Sequence, residues 1–133
     1  MSTETSGGCL CGAIRFTLDA DPIWVGHCHC RSCRRTTGSA VATFIGMRPA
    51  HVQWSAERQF YASSPGVRRG FCGQCGTPLS YEADRFPDEV HLYLGTLDDS
   101  STFRPTFHVF YGERVPWLEI ADELPRHERT SQG

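Results

Sequence analysis

Seven cysteines in three tight clusters constrain this chain more than any other feature of its sequence. The clusters are Cys9 with Cys11, then Cys28, Cys30 and Cys33, and finally Cys72 with Cys75. Thiolates two or three residues apart can turn toward one point, which is how a tetrahedral zinc ion is chelated. Four of the seven cysteines can close one site. A remaining set of three would leave a coordination position open for water or substrate.

Composition places the chain in a single globular domain. Its 133 residues can bury a core without disulfides, and its 39% hydrophobic and 21% charged residues are typical of globular proteins. The apolar stretches are far too short to span a bilayer, and the N-terminal sequence lacks the features of a secretory signal. We therefore predict a cytoplasmic protein that contacts no membrane. Thiols stay reduced there, so an odd number of clustered cysteines indicates metal ligands rather than disulfides.

The charged residues exclude two classes of function. All 13 basic residues are arginines, and a chain without lysine has no Schiff-base lysine mechanism. The net charge of -2 provides no positive surface for nucleic acid. No nucleic-acid partner is therefore expected.

Short segments of alternating polarity predict a mainly β fold. Apolar and polar residues alternate at 14–18 and 90–94, and further strands are predicted at 39–45, 51–54, 59–62, 67–71 and 107–111. One short helical segment is expected, capped by Ser32 and ended at Gly38. The domain is predicted to cover residues 7–125, between flexible polar ends at 1–6 and 126–133.

The first and last cysteine clusters predict a closed structural site. Cys72 and Cys75 form a C-x-x-C pair followed by Gly76, which suits a tight turn whose amides point at the sulfurs. Cys9 and Cys11 are flanked by glycines and are the expected partners. A zinc ion held by these four sulfurs would contribute on the order of 10 kcal/mol to folding.

The middle cluster is the predicted site of chemistry. Cys28, Cys30 and Cys33 would supply three thiolates to a second zinc ion and leave one position for solvent. Three thiolates make zinc a weaker Lewis acid than three histidines do, so such a site suits an incoming thiol better than it suits hydroxide formation. The alternative is a closed site completed by His27, His29 or His108.

The order of the motifs resembles the glutathione-dependent formaldehyde-activating enzyme family. The chain reads G-C-x-C-G at 8–12, C-H-C-x-x-C-R-x-x-x-G at 28–38, F-C-x-x-C-G-T-P-L at 71–79 and G-T-L-D-D at 95–99. The resemblance continues through P-T-F-H-V-F at 105–110 and D-E-L-P at 122–125. It covers about residues 7–125, and all seven cysteines fall on family positions.

The resemblance implies a fold, two metal ions and a reaction. Family members adopt an Mss4-like fold of β-sheets around zinc, with one zinc at the positions of Cys9, Cys11, Cys72 and Cys75. The catalytic zinc is held at the positions of Cys28, Cys30 and Cys33. The implied activity is that of a carbon–sulfur lyase, in which glutathione and formaldehyde form S-hydroxymethylglutathione.

Arginines are expected to bind the two carboxylates of glutathione. Arg34 and Arg35 adjoin the middle cluster and are the first candidates, followed by Arg68 or Arg69. His108 is a candidate for proton transfer, with a role as a satisfied core histidine as the alternative. The identities of the thiol and the aldehyde stay open at this stage.

Two non-enzymatic interpretations remain. One is a zinc-stabilised binding module, since an animal relative of the family, centromere protein V, acts in chromosome organisation. The other is a module that handles metal or thiols, in which the middle cluster only buffers zinc. The sequence also leaves open whether the chain forms a homo-oligomer.

Overall fold

The structure is a computed structural model that describes residues 4–130, and it is built mainly of short β-strands. The strands are β1 (Thr5–Gly8), β2 (Arg15–Leu18), β3 (Trp24–Cys28), β4 (Ala42–Met47), β5 (Val52–Trp54), β6 (Gln59–Ser64), β7 (Val67–Phe71), β8 (Pro78–Ala83), β9 (Val90–Tyr93) and β10 (His108–Val109). The one α-helix in the described residues is α1 (Arg31–Thr37), and single 3-10 turns lie at Pro49–His51, Leu94–Thr96 and Tyr111–Glu113. The predicted mainly β, single-domain fold is confirmed.

The strands form two sheets with a core between them. The smaller sheet has the order β1-β2-β5, and the larger has the order β10-β3-β4-β9-β8-β7-β6. Neighbouring strands are antiparallel except β10 and β3, which run parallel. Both sheets supply buried side chains to the main core, among them Phe16 and Leu18 from the smaller sheet and Ile45 and Leu92 from the larger.

The two faces of the larger sheet have different environments. Along β4, Ile45 and Met47 belong to the main core, whereas Phe44 belongs to a second apolar cluster. Along β9, Leu92 faces the main core and Tyr93 faces the second cluster. This division follows from the two-residue period of a strand, which sends successive side chains to opposite faces. The second face carries the candidate site.

Helix α1 is confirmed, but its predicted cap is wrong. The residue before the helix is Cys30 rather than Ser32, and it makes no capping side-chain hydrogen bond. The backbone determines the start, because the Arg34 amide donates to the Cys30 carbonyl oxygen at 2.9 Å. The helix ends as predicted at Gly38, whose φ of 69° is the left-handed conformation that glycine adopts without strain.

The strand prediction needs correction in several places. Strand β1 was not predicted because its sequence, TSGG, has two glycines and no apolar side chain. Strand β8 was also missed; it begins at a proline directly after a cysteine turn. The strand predicted at 107–111 is confirmed only at His108–Val109, because Phe110 turns into the left-handed region with a φ of 52°.

Residues within both predicted flexible ends are hydrogen-bonded. Thr5 pairs with Leu18 in strand β1, and the His127 amide donates to the His108 carbonyl oxygen at 2.8 Å. Residues 1–3 and 131–133, which belong to those predicted ends, lie outside the described residues. Across residues 4–130, no helix is long and apolar enough to cross a membrane.

Candidate functional site

The first and last cysteine clusters meet as predicted. Cys9 and Cys11 lie in the loop between β1 and β2, and Cys72 and Cys75 lie in the loop between β7 and β8. One ligand atom from each of the four lies within 4.8 Å of all the others. The Sγ atoms of Cys9 and Cys11 are 3.6 Å apart. We call these residues the four-cysteine site; its donor set is one that could hold a metal ion.

The loops that carry these cysteines are shaped for sulfur ligands. The Ile14 amide donates to the Cys9 sulfur at 3.3 Å. Gly12 and Gly76 have φ values of 82° and 83°, each one residue beyond the second cysteine of its pair. An L side chain is strained at those angles, so the glycines allow each loop to fold back around the sulfurs. Each cysteine pair is therefore followed by a glycine in the left-handed region.

Local hydrogen bonds favour thiolate formation unequally within the four-cysteine site. The Thr77 hydroxyl lies 3.1 Å from the Cys75 sulfur, and hydrogen bonds from the side chain and backbone of Thr77 lower the pKa of Cys75 to about 5. The Ala13 amide favours the Cys11 thiolate, but desolvation and the neighbouring cysteines outweigh it and raise the pKa of Cys11 to about 11. Because metals bind thiolates, metal binding would release protons from this site.

Cys28, Cys30 and Cys33, which we call the three-cysteine cluster, are arranged differently. Cys28 ends β3, Cys30 precedes α1, and Cys33 lies in its first turn. The sulfurs of Cys28 and Cys33 are 3.7 Å apart, and hydrogen bonds from these two residues lower the pKa of Cys30. The cluster is not among the sets in residues 4–130 whose ligand atoms all lie within 4.8 Å of one another. It is therefore less tightly closed than the four-cysteine site.

A buried arginine contacts the three-cysteine cluster. Arg69 is only 7% exposed, and its Nη1 atom lies 3.8 Å from the Cys33 sulfur. Its Nε–H donates to the Ser63 hydroxyl at 3.1 Å, and its guanidinium lies over the Tyr81 ring at 5.0 Å from the centroid. A buried cation beside thiols stabilises their charged form. Arg69 was a second-choice candidate from sequence, where it was expected to bind a carboxylate.

Tyr93 also faces the cluster. Its hydroxyl is buried without a hydrogen-bond partner among the described residues. Burial raises the pKa of Tyr93, against the opposing effect of Arg69, so the hydroxyl stays protonated. Sequence reasoning missed this residue because nothing in the alternation of β9 distinguishes it from a core aromatic.

A cavity of about 760 Å³ opens beside the three cysteines. All three line it, together with Arg69. Six aromatic residues contribute to its remaining walls, namely Trp24, Phe44, Tyr81, Phe86, Phe107 and Phe110. They share the walls with serine and charged residues, among them Ser63, Asp84 and Arg85. The size is that of a small-molecule binding pocket.

The register of the larger sheet brings these side chains to one face. Phe44 lies opposite Tyr93, and Tyr81 lies opposite both Arg69 and His91 in the neighbouring strands. Directly opposed residues point to the same side of a sheet. The strand pairing therefore places an arginine from β7 and aromatic rings from β4 and β8 around one cavity.

Charged groups in the cavity lining balance one another. The cations are Arg69 and Arg85, and the acids are Asp84 and Glu89. Asp84 accepts a hydrogen bond from Arg68 at 3.0 Å. The lining therefore has no excess of positive charge.

The two arginines first predicted to bind glutathione lie elsewhere. The side chain of Arg34 donates to the backbone carbonyl oxygen of Glu113 at 3.1 Å, and Arg35 is exposed. Neither lines the cavity. Their contacts with glutathione carboxylates stay a prediction.

The histidines form a separate network at the edge of the larger sheet. His29 Nε2 lies 2.9 Å from His108 Nδ1, and His108 Nε2 lies 3.0 Å from an Asp122 carboxylate oxygen. Arg126 Nη1 donates to the other Asp122 oxygen at 2.8 Å. His108 is fully buried with both ring nitrogens engaged, so its contacts agree with the alternative of a satisfied core residue. Asp122 lies 14 residues beyond His108 in the sequence. The spacing of the two residues therefore gave no indication that they pair.

Two of the three histidines that could close the second cysteine site, His27 and His108, belong to a different set of side chains. His27 lies opposite His108 across the parallel pair, on the face of β3 that Cys28 does not share. His27, His108 and Asp122 have ligand atoms within 4.8 Å of one another, and no cysteine belongs to this set.

Comparisons with known proteins agree with this arrangement. The profile of the glutathione-dependent formaldehyde-activating enzyme family matches residues 4–113. A Halomonas elongata protein, whose name assigns it provisionally to these enzymes, is 30% identical over 125 residues, covering 86% of this chain and 79% of its own. An uncharacterized lyase of Schizosaccharomyces pombe is 33% identical over 102 residues, covering 75% of this chain and 74% of its own.

A solved structure supports the fold independently. The crystal structure of a Rhodobacter sphaeroides protein superposes with a TM-score of 0.59 at 20% identity, covering 75% of this chain and 91% of that one. The family match spans both cysteine sites and most of the cavity lining. The chain belongs to the glutathione-dependent formaldehyde-activating enzyme family.

Proposed function

We propose that this chain catalyses the reversible addition of a thiol to an aldehyde at the three-cysteine cluster. Glutathione and formaldehyde are the substrates that the family description supports. The observation that carries the proposal is the placement of Cys28, Cys30 and Cys33 in the wall of the 760 Å³ cavity. A purely structural cluster would need no such access.

Two zinc ions per chain are proposed, one at each cysteine site. Zinc suits both donor sets, because thiolates select it over harder cations such as magnesium. The four-cysteine site would hold a structural ion and the three-cysteine cluster a catalytic one. When bound at the cluster, zinc would supply positive charge that lowers the pKa of an incoming thiol.

The residues of the chain bind and orient the reactants. In the reaction, the thiol sulfur bonds to the carbonyl carbon, the carbon–oxygen double bond becomes single, and the thiol proton ends on the oxygen. No oxidant or reductant is needed. Arg69 would stabilise negative charge on the substrate sulfur beside Cys33, because its Nη1 atom lies 3.8 Å from the Cys33 sulfur. The cavity would hold thiol and aldehyde in contact, which favours a bimolecular addition.

Zinc content and exchange kinetics test the proposal together. Two-dimensional exchange NMR measures the interconversion of glutathione and its formaldehyde adduct with native protein and with Cys30→Ser. We expect accelerated exchange and about two zinc ions in the native protein, and about one ion without acceleration in the variant. Thr36→Ala is the control, since Thr36 lies in α1 outside the cavity lining.

The opposite results are equally informative. Exchange at the buffer rate in the presence of two zinc ions would contradict the enzymatic function. Tight DNA binding at physiological salt would instead favour the zinc-stabilised binding module.

A further inference from the structure

We infer that the aldehyde substrate carries an apolar group of about the size of a benzene ring. This inference rests on the proposed thiol–aldehyde function and identifies the substrate class at the same site. Formaldehyde has only hydrogen atoms on its carbonyl carbon and would leave the aromatic walls of the cavity without a partner. The observations that carry the inference are the construction of those walls and the charges around them.

The aromatic walls are built tightly onto the sheet. A Cβ atom added at Gly46 would lie 2.4 Å from atoms of the Trp24 ring, and one added at Gly26 would lie 2.5 Å from the Phe107 ring. Both distances are far inside van der Waals contact. The two rings therefore lie directly on backbone that only glycine can provide, which fixes their positions beside the cavity.

Polar contacts hold the same wall in place. The Trp24 indole N–H donates to a Glu89 carboxylate oxygen at 3.0 Å, and His91 Nε2 lies 2.9 Å from that oxygen. The His91 ring stacks on Tyr81 with an interplanar angle of 20°. A wall with such internal contacts is formed before any ligand arrives, which lowers the entropy cost of binding.

The charges of the cavity lining determine whether the glutathione part or the aldehyde part of the thiol–aldehyde adduct faces the aromatic walls. Glutathione carries two carboxylates and an ammonium group, whereas the cavity has balanced charges and the guanidinium of Arg69 is already engaged by Ser63 and Cys33. A charged peptide therefore has little to gain against the aromatic walls and is better placed toward the exposed Arg85 and Asp84. The apolar walls are left for the substituent of the aldehyde.

The implied reaction forms and breaks the same kinds of bonds as the formaldehyde reaction. The thiol sulfur adds to the carbonyl carbon of R–CHO, a carbon–sulfur bond forms, and the thiol proton ends on the oxygen. The product is a hemithioacetal whose apolar R group lies among Phe44, Tyr81 and Phe86. Burying R against aromatic rings removes apolar surface from water, and this contribution is absent for formaldehyde.

Unreactive thioethers of glutathione separate binding from catalysis. Isothermal titration calorimetry with the zinc-loaded full chain compares S-phenylpropylglutathione with S-methylglutathione. We expect the phenylpropyl compound to bind at least about tenfold more tightly, with a more negative heat-capacity change from the buried ring. Equal affinities would overturn the inference.

Exchange kinetics provide the second readout. The acceleration of glutathione exchange is compared for hydrocinnamaldehyde and propanal, which differ by the ring alone. We expect kcat/KM to favour hydrocinnamaldehyde by at least about tenfold. Phe86→Ala should reduce that ratio and Phe86→Met should restore much of it. Phe60→Ala is the matched control, because Phe60 is 46% exposed and does not line the cavity.

The outcomes distinguish this inference from the function on which it rests. Accelerated exchange with formaldehyde but no preference for hydrocinnamaldehyde would overturn the inference and leave the function intact. A gain seen instead with benzyl thiol and formaldehyde would place the apolar group on the thiol and would also overturn it. If none of the aldehydes gave exchange faster than the buffer rate, both this inference and the proposed function would be overturned.

Discussion

The two cysteine regions use the same ligand and differ in almost everything around it. The four-cysteine site joins two loops that are about sixty residues apart in sequence, and amide and hydroxyl groups donate to its sulfurs. The three-cysteine cluster comes from one short segment, has a buried arginine as its neighbour, and lines a cavity. The two sites differ more in their surroundings than in their number of cysteines. The four-cysteine site is enclosed by its own loops, whereas the three-cysteine cluster is accessible from the cavity.

Loss of the four-cysteine site should have the largest effect. Cys72 is 1% exposed and packs into the main core, and we expect Cys72→Ser to abolish metal binding at that site. A structural zinc contributes on the order of 10 kcal/mol, which is comparable with the whole stability of a small domain. The variant should therefore be unfolded by circular dichroism. A native spectrum with both zinc ions retained would break the contrast between the two regions.

Loss of a ligand in the three-cysteine cluster should spare the fold and remove activity. Cys33→Ser replaces a buried thiol by a hydroxyl, which should lower the free energy of unfolding by about 1–3 kcal/mol. Urea denaturation measures that change, and exchange NMR measures the activity. Exchange retained with only the zinc affinity altered would favour the metal- or thiol-handling interpretation over the enzyme.

Two adjacent arginines test the role of positive charge at the three-cysteine cluster. Arg69→Met removes the buried cation beside Cys33, and we expect kcat/KM to fall on the order of a hundredfold. Arg68→Met is the matched control, because Arg68 is exposed and pairs with Asp84 at the surface. An exposed pair is worth about 0–1 kcal/mol, so activity should stay close to native. Equal effects of the two substitutions would contradict a specific role for Arg69.

The asymmetry between the two regions was only partly predictable from sequence. Cysteine spacing and flanking glycines such as Gly76 indicate a four-sulfur site, since local turn geometry depends on neighbouring residues. Which arginine reaches the second cluster depends on the register of β7 against β8, which places Arg69 opposite Tyr81. Arg34 is closer in sequence but donates to a backbone carbonyl far along the chain. Register is a tertiary property, so sequence proximity could not identify Arg69 as the arginine that contacts the cluster and lines the cavity.

We expect the histidine network to stabilise the fold rather than to act at the three-cysteine cluster. Burial disfavours the Asp122 carboxylate, but hydrogen bonds from His108, the Leu124 amide and Arg126 outweigh it and lower the pKa of Asp122 to about 2. A lowered pKa stabilises the folded state above the ordinary value of 3.8, and this contribution disappears as the pH falls toward 2. Asp122→Asn should therefore be less stable than native protein at neutral pH.

Urea unfolding at several pH values checks this expectation. The difference in stability between native protein and Asp122→Asn should narrow below pH 3.8 and nearly vanish around pH 2. Glu123→Gln serves as the control, since Glu123 is exposed. Zinc content should not change in either variant. Loss of zinc from Asp122→Asn would link the histidines to the three-cysteine cluster.

The smallest effect should come from the glycine that ends the helix of the three-cysteine cluster. Gly38 has a φ of 69° and no atoms within 4 Å of an added Cβ, so Gly38→Ala introduces backbone strain without a collision. We expect a loss of about 1 kcal/mol of stability with unchanged zinc content. Gly95→Ala is the matched control, because Gly95 has the same free space and an ordinary φ, and it should be neutral or slightly stabilising. If Gly38→Ala released zinc as readily as a cysteine substitution does, helix α1 would be fixing the cluster, and the two regions would be more alike in rigidity than their surroundings indicate.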